Sequence, residues 1–366
     1  MHYTSYSIPV TTYTGAQIAL QCFRAANDGA QPLILYAGFY QNAFFWDLSE
    51  QGGSLAAYLC EQGYDVWAVH QRGTGGSGGK KLPNSLDDLA AFDTPAIISF
   101  VRGATGKKPI FIGHSQGGIT TLLSLMGAVK NASGTVSLDP NVAQERHDSL
   151  QSIVTIGSFP NMTYPTTTPL QNFVKNGIQV TLFGKTMTLI SSLSILNIVK
   201  HFNYIPVPIS VSLREAILDK WYIRLLLFPL AFVLDAIAVS GMVGFLYNKA
   251  NVSREARIRL FYRTFEGSFS GIINQYYWTV LEGQMYSNDK TVNYSAHYHL
   301  VKLPVCCVAM QDDQVENPIT MKEQMFDSLG SSNKHYILWE NQGHEDFVMN
   351  PAFFPLLSEA IKKVAY

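Results

Sequence analysis

Gly113-His114-Ser115-Gln116-Gly117-Gly118 follows the apolar run Pro109-Ile110-Phe111-Ile112 and precedes Ile119-Thr120-Thr121-Leu122-Leu123. The runs on either side predict a strand, a sharp turn and a helix. A serine on such a turn is held in a strained backbone geometry at the carboxyl end of a strand, and the flanking glycines remove side chains that would collide there. A free serine hydroxyl is a poor nucleophile, so Ser115 requires a base and an orienting acid further along the chain.

The base is expected near the C-terminus. Gln342-Gly343-His344-Glu345-Asp346-Phe347 follows the strand-like Tyr336-Ile337-Leu338-Trp339. A histidine on a loop just after the last strand can lean over the serine from the top of a sheet. Of the nine histidines, His344 is therefore preferred to His297, His299 and His335, which lie before or inside predicted elements. The acid is expected after the preceding strand, Pro304-Val305-Cys306-Cys307-Val308-Ala309-Met310, which runs into Gln311-Asp312-Asp313-Gln314-Val315. Asp312 is favoured because Val315 supplies a hydrophobic residue three places on; Asp313 is the alternative, and the other aspartate of the pair caps the loop or the next helix.

The chain order serine, aspartate, histidine is the one expected of α/β-hydrolases. Their oxyanion hole is built from two backbone amides. One is assigned to Gln116, directly after the nucleophile. The other is assigned to Phe39, on the loop after Leu33-Ile34-Leu35-Tyr36-Ala37-Gly38.

Several stretches together resemble the acid lipase family, which includes the gastric and lysosomal acid lipases. They are Gly63-Tyr64-Asp65-Val66-Trp67 with Arg72-Gly73, the run Ser85 to Ala96 (SLDDLAAFDTPA), Thr105-Gly106-Lys107-Lys108, and Gly113 to Gly117. Late in the chain come Gly267-Ser268-Phe269-Ser270, Ile273 to Trp278 (INQYYW), and His344-Glu345-Asp346-Phe347. The likeness begins at about residue 33 and is weakest between about 165 and 250. It implies an esterase or lipase with a large cap. Ala37 departs from the family's His-Gly pair, and the Asp312-Asp313 loop lacks its glycine-rich approach.

Length and composition suit such an enzyme. The chain has 366 residues, 47% hydrophobic and 14% charged, with a net charge of −1. That balance offers no electrostatic argument for nucleic acid. Cys306 and Cys307 are neighbours on a predicted strand, so they point to opposite faces and cannot pair with each other; with Cys22 and Cys60 they read as buried or free thiols of a reducing compartment. No spacing resembles a metal site, and the Ser-His-Asp chemistry needs no cofactor. Residues 1–7 carry neither a basic nor an apolar signal region. A cytoplasmic protein is expected, with peripheral membrane association or signal-independent export as alternatives.

Strands are predicted near 6–12, 18–24, 32–37, 65–70, 109–113, 152–157, 304–310 and 335–339, and helices near 53–62, 87–104, 117–128, 319–329 and 353–364. The alternation predicts a mostly parallel sheet with helices on both faces, edged by an antiparallel hairpin. The core is expected over 1–157 and 304–366, with residues 158–303 as a mainly helical cap over Ser115. Within it, Thr186 to Val199 is apolar over about four turns, and Leu225 to Tyr247 has Asp235 as its sole charge. A single membrane span there would part Ser115 from Asp312 and His344, and Asp235 alone would cost about 2.5–3.5 kcal/mol on insertion. Cap helices lining an acyl tunnel are expected instead, with interfacial membrane contact as the alternative. The expected substrate is a small-molecule or lipid ester, cleaved by hydrolysis; a thioesterase or acyltransferase using the same triad is the alternative, followed by an amidase or a non-catalytic lipid-binding hydrolase fold.

Overall fold

The computed structural model describes residues 4–24, 29–48, 54–82, 84–161, 169–182, 185–206 and 246–365. Its centre is an 8-stranded sheet made of β1 (Thr4–Thr11), β2 (Gln17–Arg24), β3 (Gln31–Tyr36), β4 (Tyr64–Val69), β5 (Ile110–His114), β6 (Ser152–Ile156), β7 (Val305–Met310) and β8 (Lys334–Trp339). In space the strands run β1-β2-β4-β3-β5-β6-β7-β8. Every pairing from β4 onward is parallel, while β1 and β2 form the antiparallel hairpin at the edge.

Alternation along each strand separates two apolar layers. Ile34, Tyr36, Phe111, Ile153, Cys307 and Ala309 face one side, where they meet Ile97 and Val101 of α2 (Thr94–Thr105) and Ile119, Leu122 and Leu123 of α3 (Gln116–Leu125). Leu33, Leu35, Ile110, Ile112, Val154, Cys306 and Val308 face the other, against α1 (Leu55–Glu61) and the apolar stripe Phe354, Leu357, Ala360, Ile361 of the last helix (Phe354–Lys362). All residues of β5 and β7 are buried, the expected state of parallel strands covered on both faces. Cys306 and Cys307 do point to opposite layers. Burial pushes both thiols up to about 12, so neither is a thiolate at neutral pH.

The helix predicted over 87–104 begins at Leu86 and contains a wider π turn at Leu89–Asp93 before α2. Pro95 lacks the amide that would bond the carbonyl of Ala91, and that carbonyl instead accepts from Arg146 at 3.3 Å. Arg146 also donates to the Ser124 and Ala128 carbonyls at 2.7 and 2.9 Å. It belongs to a helix the sequence pattern did not reveal, α4 (Pro140–Ser149). That helix docks through a buried arginine rather than an apolar stripe, which is why hydrophobic periodicity missed it. Asp139-Pro140 was the available signal: Asp139 caps the helix through the Asn141 and Val142 amides, and proline suits the first turn.

Between β6 and β7 the described elements include helices Pro169–Asn176, Ser192–Val199 and Arg254–Arg259, a hairpin of Ile178–Leu182 with Lys185–Ile190, and α5 (Ser270–Glu282). The apolar stretch Thr186 to Val199 is therefore a strand followed by a short helix rather than continuous helix. The predicted greasy segment Leu225 to Tyr247 lies, except for its last two residues, outside the described residues. The later part is tied to the core. Asp87 accepts from the Asn288 amide at 2.8 Å, Tyr294 Oη at 2.9 Å and Gln275 Nε2 at 3.1 Å. Among the described residues no helix is long and apolar enough to cross a membrane.

Packing is very close at the turn after β5. A Cβ on Gly113 would sit 2.4 Å from the Cα and N of Gly118, and one on Gly117 would sit 2.2 Å from the Tyr36 carbonyl oxygen. Both clashes are with backbone, which cannot rotate away. Gly113→Ala should cost roughly 3 kcal/mol or more. Thermal unfolding should show Tm lowered by about 4 °C or more; an unchanged Tm would mean the strand and helix are not held this closely.

Candidate active site

Ser115 stands between β5 and α3 with φ 49° and ψ −119°. A non-glycine residue at positive φ costs about 1–3 kcal/mol and persists where surrounding contacts impose it. Here the Ser115 amide donates to the Ile156 carbonyl at 2.8 Å, and Gly113, Gly117 and Gly118 permit the close crossing beneath it. Ser115 is 7% exposed.

His344 lies on the loop after β8 and is brought to the same corner by its neighbours. A Cβ on Gly157, one residue beyond Ile156, would lie 3.0 Å from the His344 ring. His114, adjacent to Ser115, donates from Nε2 to the His344 carbonyl at 3.0 Å, and the two rings are 4.7 Å apart. His114 is buried and stacked on Phe45; burial first, and the charge of His344 second, hold its pKa well below the ordinary value. It is thus a neutral side chain that locks the histidine loop onto the serine turn. Sequence reasoning missed this role, although the residue stands inside the motif.

The acid facing His344 is Asp313, not Asp312. Asp313 Oδ2 lies 2.7 Å from His344 Nδ1, and its Oδ1 accepts from the Val315 and Glu316 amides at 2.7 and 2.9 Å. Asp312 Oδ2 instead accepts from Asn248 at 2.8 Å. The correction has a simple cause. The chain turns as β7 ends, and neighbouring side chains on the turn diverge. Val315 is buried, as expected of the hydrophobic residue after the acid, but it stands two places after that acid rather than three. Both partners of the His344–Asp313 pair are 1–2% exposed. Burial acts to lower the His344 pKa, but the charge and hydrogen bond of Asp313, with Glu345 adding to them, outweigh it and raise the pKa above 6.5.

Gly38 follows β3 directly and passes close to the serine: a Cβ there would be 3.2 Å from Ser115 Cβ. Neither the Phe39 nor the Gln116 amide donates a hydrogen bond to another described residue. The two amides expected to flank the serine are thus present and uncommitted. Ser115 Oγ and His344 Nε2 share no hydrogen bond among the described residues; such contacts are commonly long before substrate arrives and tighten in the complex. Among the described residues no three His, Cys, Asp or Glu side chains gather as metal ligands would.

The sheet order, the strained serine turn and agreement with solved structures define an α/β-hydrolase fold. A thermophilic esterase from Thermogutta terrifontis superimposes with a TM-score of 0.57 at 14% identity, over 99% of this chain and 100% of that one. A soluble variant of monoglyceride lipase from Saccharomyces cerevisiae gives 0.57 at 14% identity, over 100% and 96%. In sequence the chain is similar to lipases. Triacylglycerol lipase 2 of Arabidopsis thaliana is 30% identical over 128 residues, 31% of this chain and 31% of the relative. Gastric triacylglycerol lipase of Rattus norvegicus is 35% identical over 102 residues, 25% of this chain and 26% of the relative. The chain thus matches between a quarter and a third of the length of these curated relatives. Residues 46–183 also match the model of the serine aminopeptidase (S33) family of hydrolases.

The geometry separates the two aspartates in solution. Removing the Asp313 charge should lower the His344 pKa, because the protonated imidazole loses its partner. Asp312→Asn should leave that pKa in place. Histidine side-chain NMR titration of Asp313→Asn and Asp312→Asn checks this, and an equal shift in both variants would return the assignment to open competition.

Proposed function

We propose that this protein is a serine carboxylester hydrolase that cleaves lipophilic acyl esters through Ser115, His344 and Asp313. The observation that carries the reading is the meeting of a strained serine, a buried histidine–aspartate pair and two uncommitted amides at one corner of the sheet. In this mechanism His344 takes the Ser115 proton as Oγ attacks the ester carbonyl, while Asp313 stabilises the imidazolium that forms. The negative oxygen of the tetrahedral intermediate is received by the amides of Phe39 and Gln116. The alcohol leaves with the proton held by His344, and water then releases the acid from the acyl-enzyme by the same route.

Residues 158–303 are proposed as the cap that shapes the acyl pocket. They leave the sheet at the carboxyl end of β6, where ligands bind in open α/β sheets. Their later part reaches the oxyanion turn, since the Phe39 and Tyr276 rings pack edge to face at 5.3 Å. The lipase relatives support a lipid ester as substrate. Contact of this region with a membrane surface is proposed from Leu193, Ile198 and Phe202, which are 46%, 60% and 56% exposed. Co-sedimentation with phosphatidylcholine vesicles should be weakened severalfold in Ile198→Asp/Phe202→Asp; equal sedimentation of both proteins would remove that contact. A second reading, amide hydrolysis by the same residues, is favoured by the match to the serine aminopeptidase family.

Hydrolysis of p-nitrophenyl esters from acetyl to palmitoyl, beside a p-nitroanilide, tests these readings. We expect kcat/KM to rise with acyl length, and Ser115→Ala to lose at least about a thousandfold in kcat while keeping its fold. Preference for the anilide would favour the amide reading. Turnover in Ser115→Ala near the wild-type rate would overturn the proposed mechanism.

A further inference from the structure

The reaction proposed above leaves unused a chain of buried polar side chains behind the serine. Glu345, directly after the proposed base, is 3% exposed. Its Oε1 accepts a short hydrogen bond from Gln41 Nε2, across 304 residues of sequence. The other end of Gln41 faces the turn after β3: Gln41 Oε1 accepts from the Gly38 amide at 3.0 Å, and the Gln41 amide donates to the Gly38 carbonyl at 3.2 Å. Gln71 Nε2 donates to the same Gly38 carbonyl and, at 3.0 Å, to that of Ala37. Its Oε1 accepts from Gln116 Nε2 at 2.6 Å.

These contacts bear on two successive peptide units that share Gly38: the Gln41 side chain holds the Gly38 amide of the first, and Gln71 with the Gln41 main-chain amide holds the Gly38 carbonyl of the second. The Gly38 carbonyl and the Phe39 amide belong to the same plane and point in opposite directions across a trans bond. Fixing the carbonyl therefore aims the N–H. The turn is strained, with Tyr40 at φ 65°, so its conformation must be imposed by its surroundings. The Glu266 amide, which donates to the Tyr40 carbonyl at 2.9 Å, holds the far side of the turn, and Gln41 holds the near side.

We propose that Glu345 and Gln41 act together as positioning residues: the Gln41 side chain, held by Glu345, fixes the Gly38 amide, and with the Gly38 carbonyl held by Gln71 and the Gln41 main chain this sets the Gly38 backbone that aims the Phe39 amide at the oxyanion. The inference rests on the proposed serine hydrolase reaction. The contact with Gln41 uses Glu345 Oε1 only as an acceptor, and burial pushes the carboxyl up to about 8, against the lowering effects of His344 and the Gln41 hydrogen bond. Glutamine at 345 would offer Gln41 the same acceptor, whereas methionine at 41 fills the same space with no hydrogen bond.

The experiment compares the wild-type chain with Q41M and E345Q. Three quantities are measured: kcat and KM on p-nitrophenyl butyrate, Tm, and Ki for an alkyl trifluoromethyl ketone, whose adduct with a serine carries the oxyanion. Q41M should lose about 10–100-fold in kcat, less than removal of a donor outright. KM should stay within about twofold, and Ki should weaken by a factor matching the loss in kcat/KM. E345Q should stay within about threefold of wild type in both kcat and Ki, which a role for the Glu345 charge would not allow. If Q41M does not fold, Q41N is one methylene too short to hold both partners and carries the same expectation. Unchanged kcat and Ki in the position-41 variant, or a change in Tm alone, would overturn the inference, as would E345Q as impaired as Q41M. Absence of Ser115-dependent turnover in the wild type would overturn the proposed function and the inference with it.

Discussion

Ser115 can occupy its strained backbone only because β5 and α3 cross with almost no space between them. The Gly113 and Gly118 backbones approach so closely that a single methyl on Gly113 would lie 2.4 Å from its opposite number. This contact orders the rest of the site. It turns the serine outward at the carboxyl end of the sheet and places its amide on the Ile156 carbonyl. It also lets the loop after β3 pass close by, and among the described residues the first amide of α3 has no acceptor. A positive φ at a residue bearing a side chain is a local cost, and the glycines around it are what the fold uses to sustain that cost.

Around this turn the polar groups fall into two sets with different electrostatics. His344 and Asp313 form a buried pair in which the aspartate's charge outweighs burial and favours the imidazolium. Glu345 and His114 lie next to the pair yet are driven the other way, with burial the largest cause for each: the carboxyl of Glu345 titrates near 8 and His114 stays neutral. Neighbouring groups with opposed protonation preferences are a common property of reactive sites. The buried glutamines Gln41, Gln71 and Gln116 add no charge. Gln41 and Gln71 supply directed hydrogen bonds to the backbone of the turn that carries Phe39, and Gln116 holds Gln71 in place.

The stretch between β6 and β7 is tied to the core at more than one place. Asp87 collects hydrogen bonds from Gln275, Asn288 and Tyr294, and the chain near residues 264–266 is bonded to the turn that bears Gly38. That stretch therefore also braces the loop that carries Gly38 and Phe39.

Much of this could be read from the chain alone, for reasons of periodicity and order. Parallel strands buried on both faces are unbroken apolar runs, so all eight sheet strands were legible, as was the edge hairpin. A glycine-flanked serine between strand and helix, with aspartate and histidine following in order, marked the strained turn of Ser115 and the loop of His344. What the sequence could not carry were the features that depend on direction in space. Asp312 and Asp313 are chemically identical neighbours, and only the turn after β7 decides which of them faces His344. Helix α4 escaped because a single buried arginine, bonded to carbonyls from distant elements, holds it in place of an apolar stripe. The links from Glu345 to Gln41 and from Gln116 to Gln71 escaped because a glutamine's partner is chosen by folding, not by spacing. Composition and pattern thus determined the sheet and the residues available for chemistry, while tertiary structure decided which of those residues meet, since hydrogen-bond geometry exists only once the chain is closed.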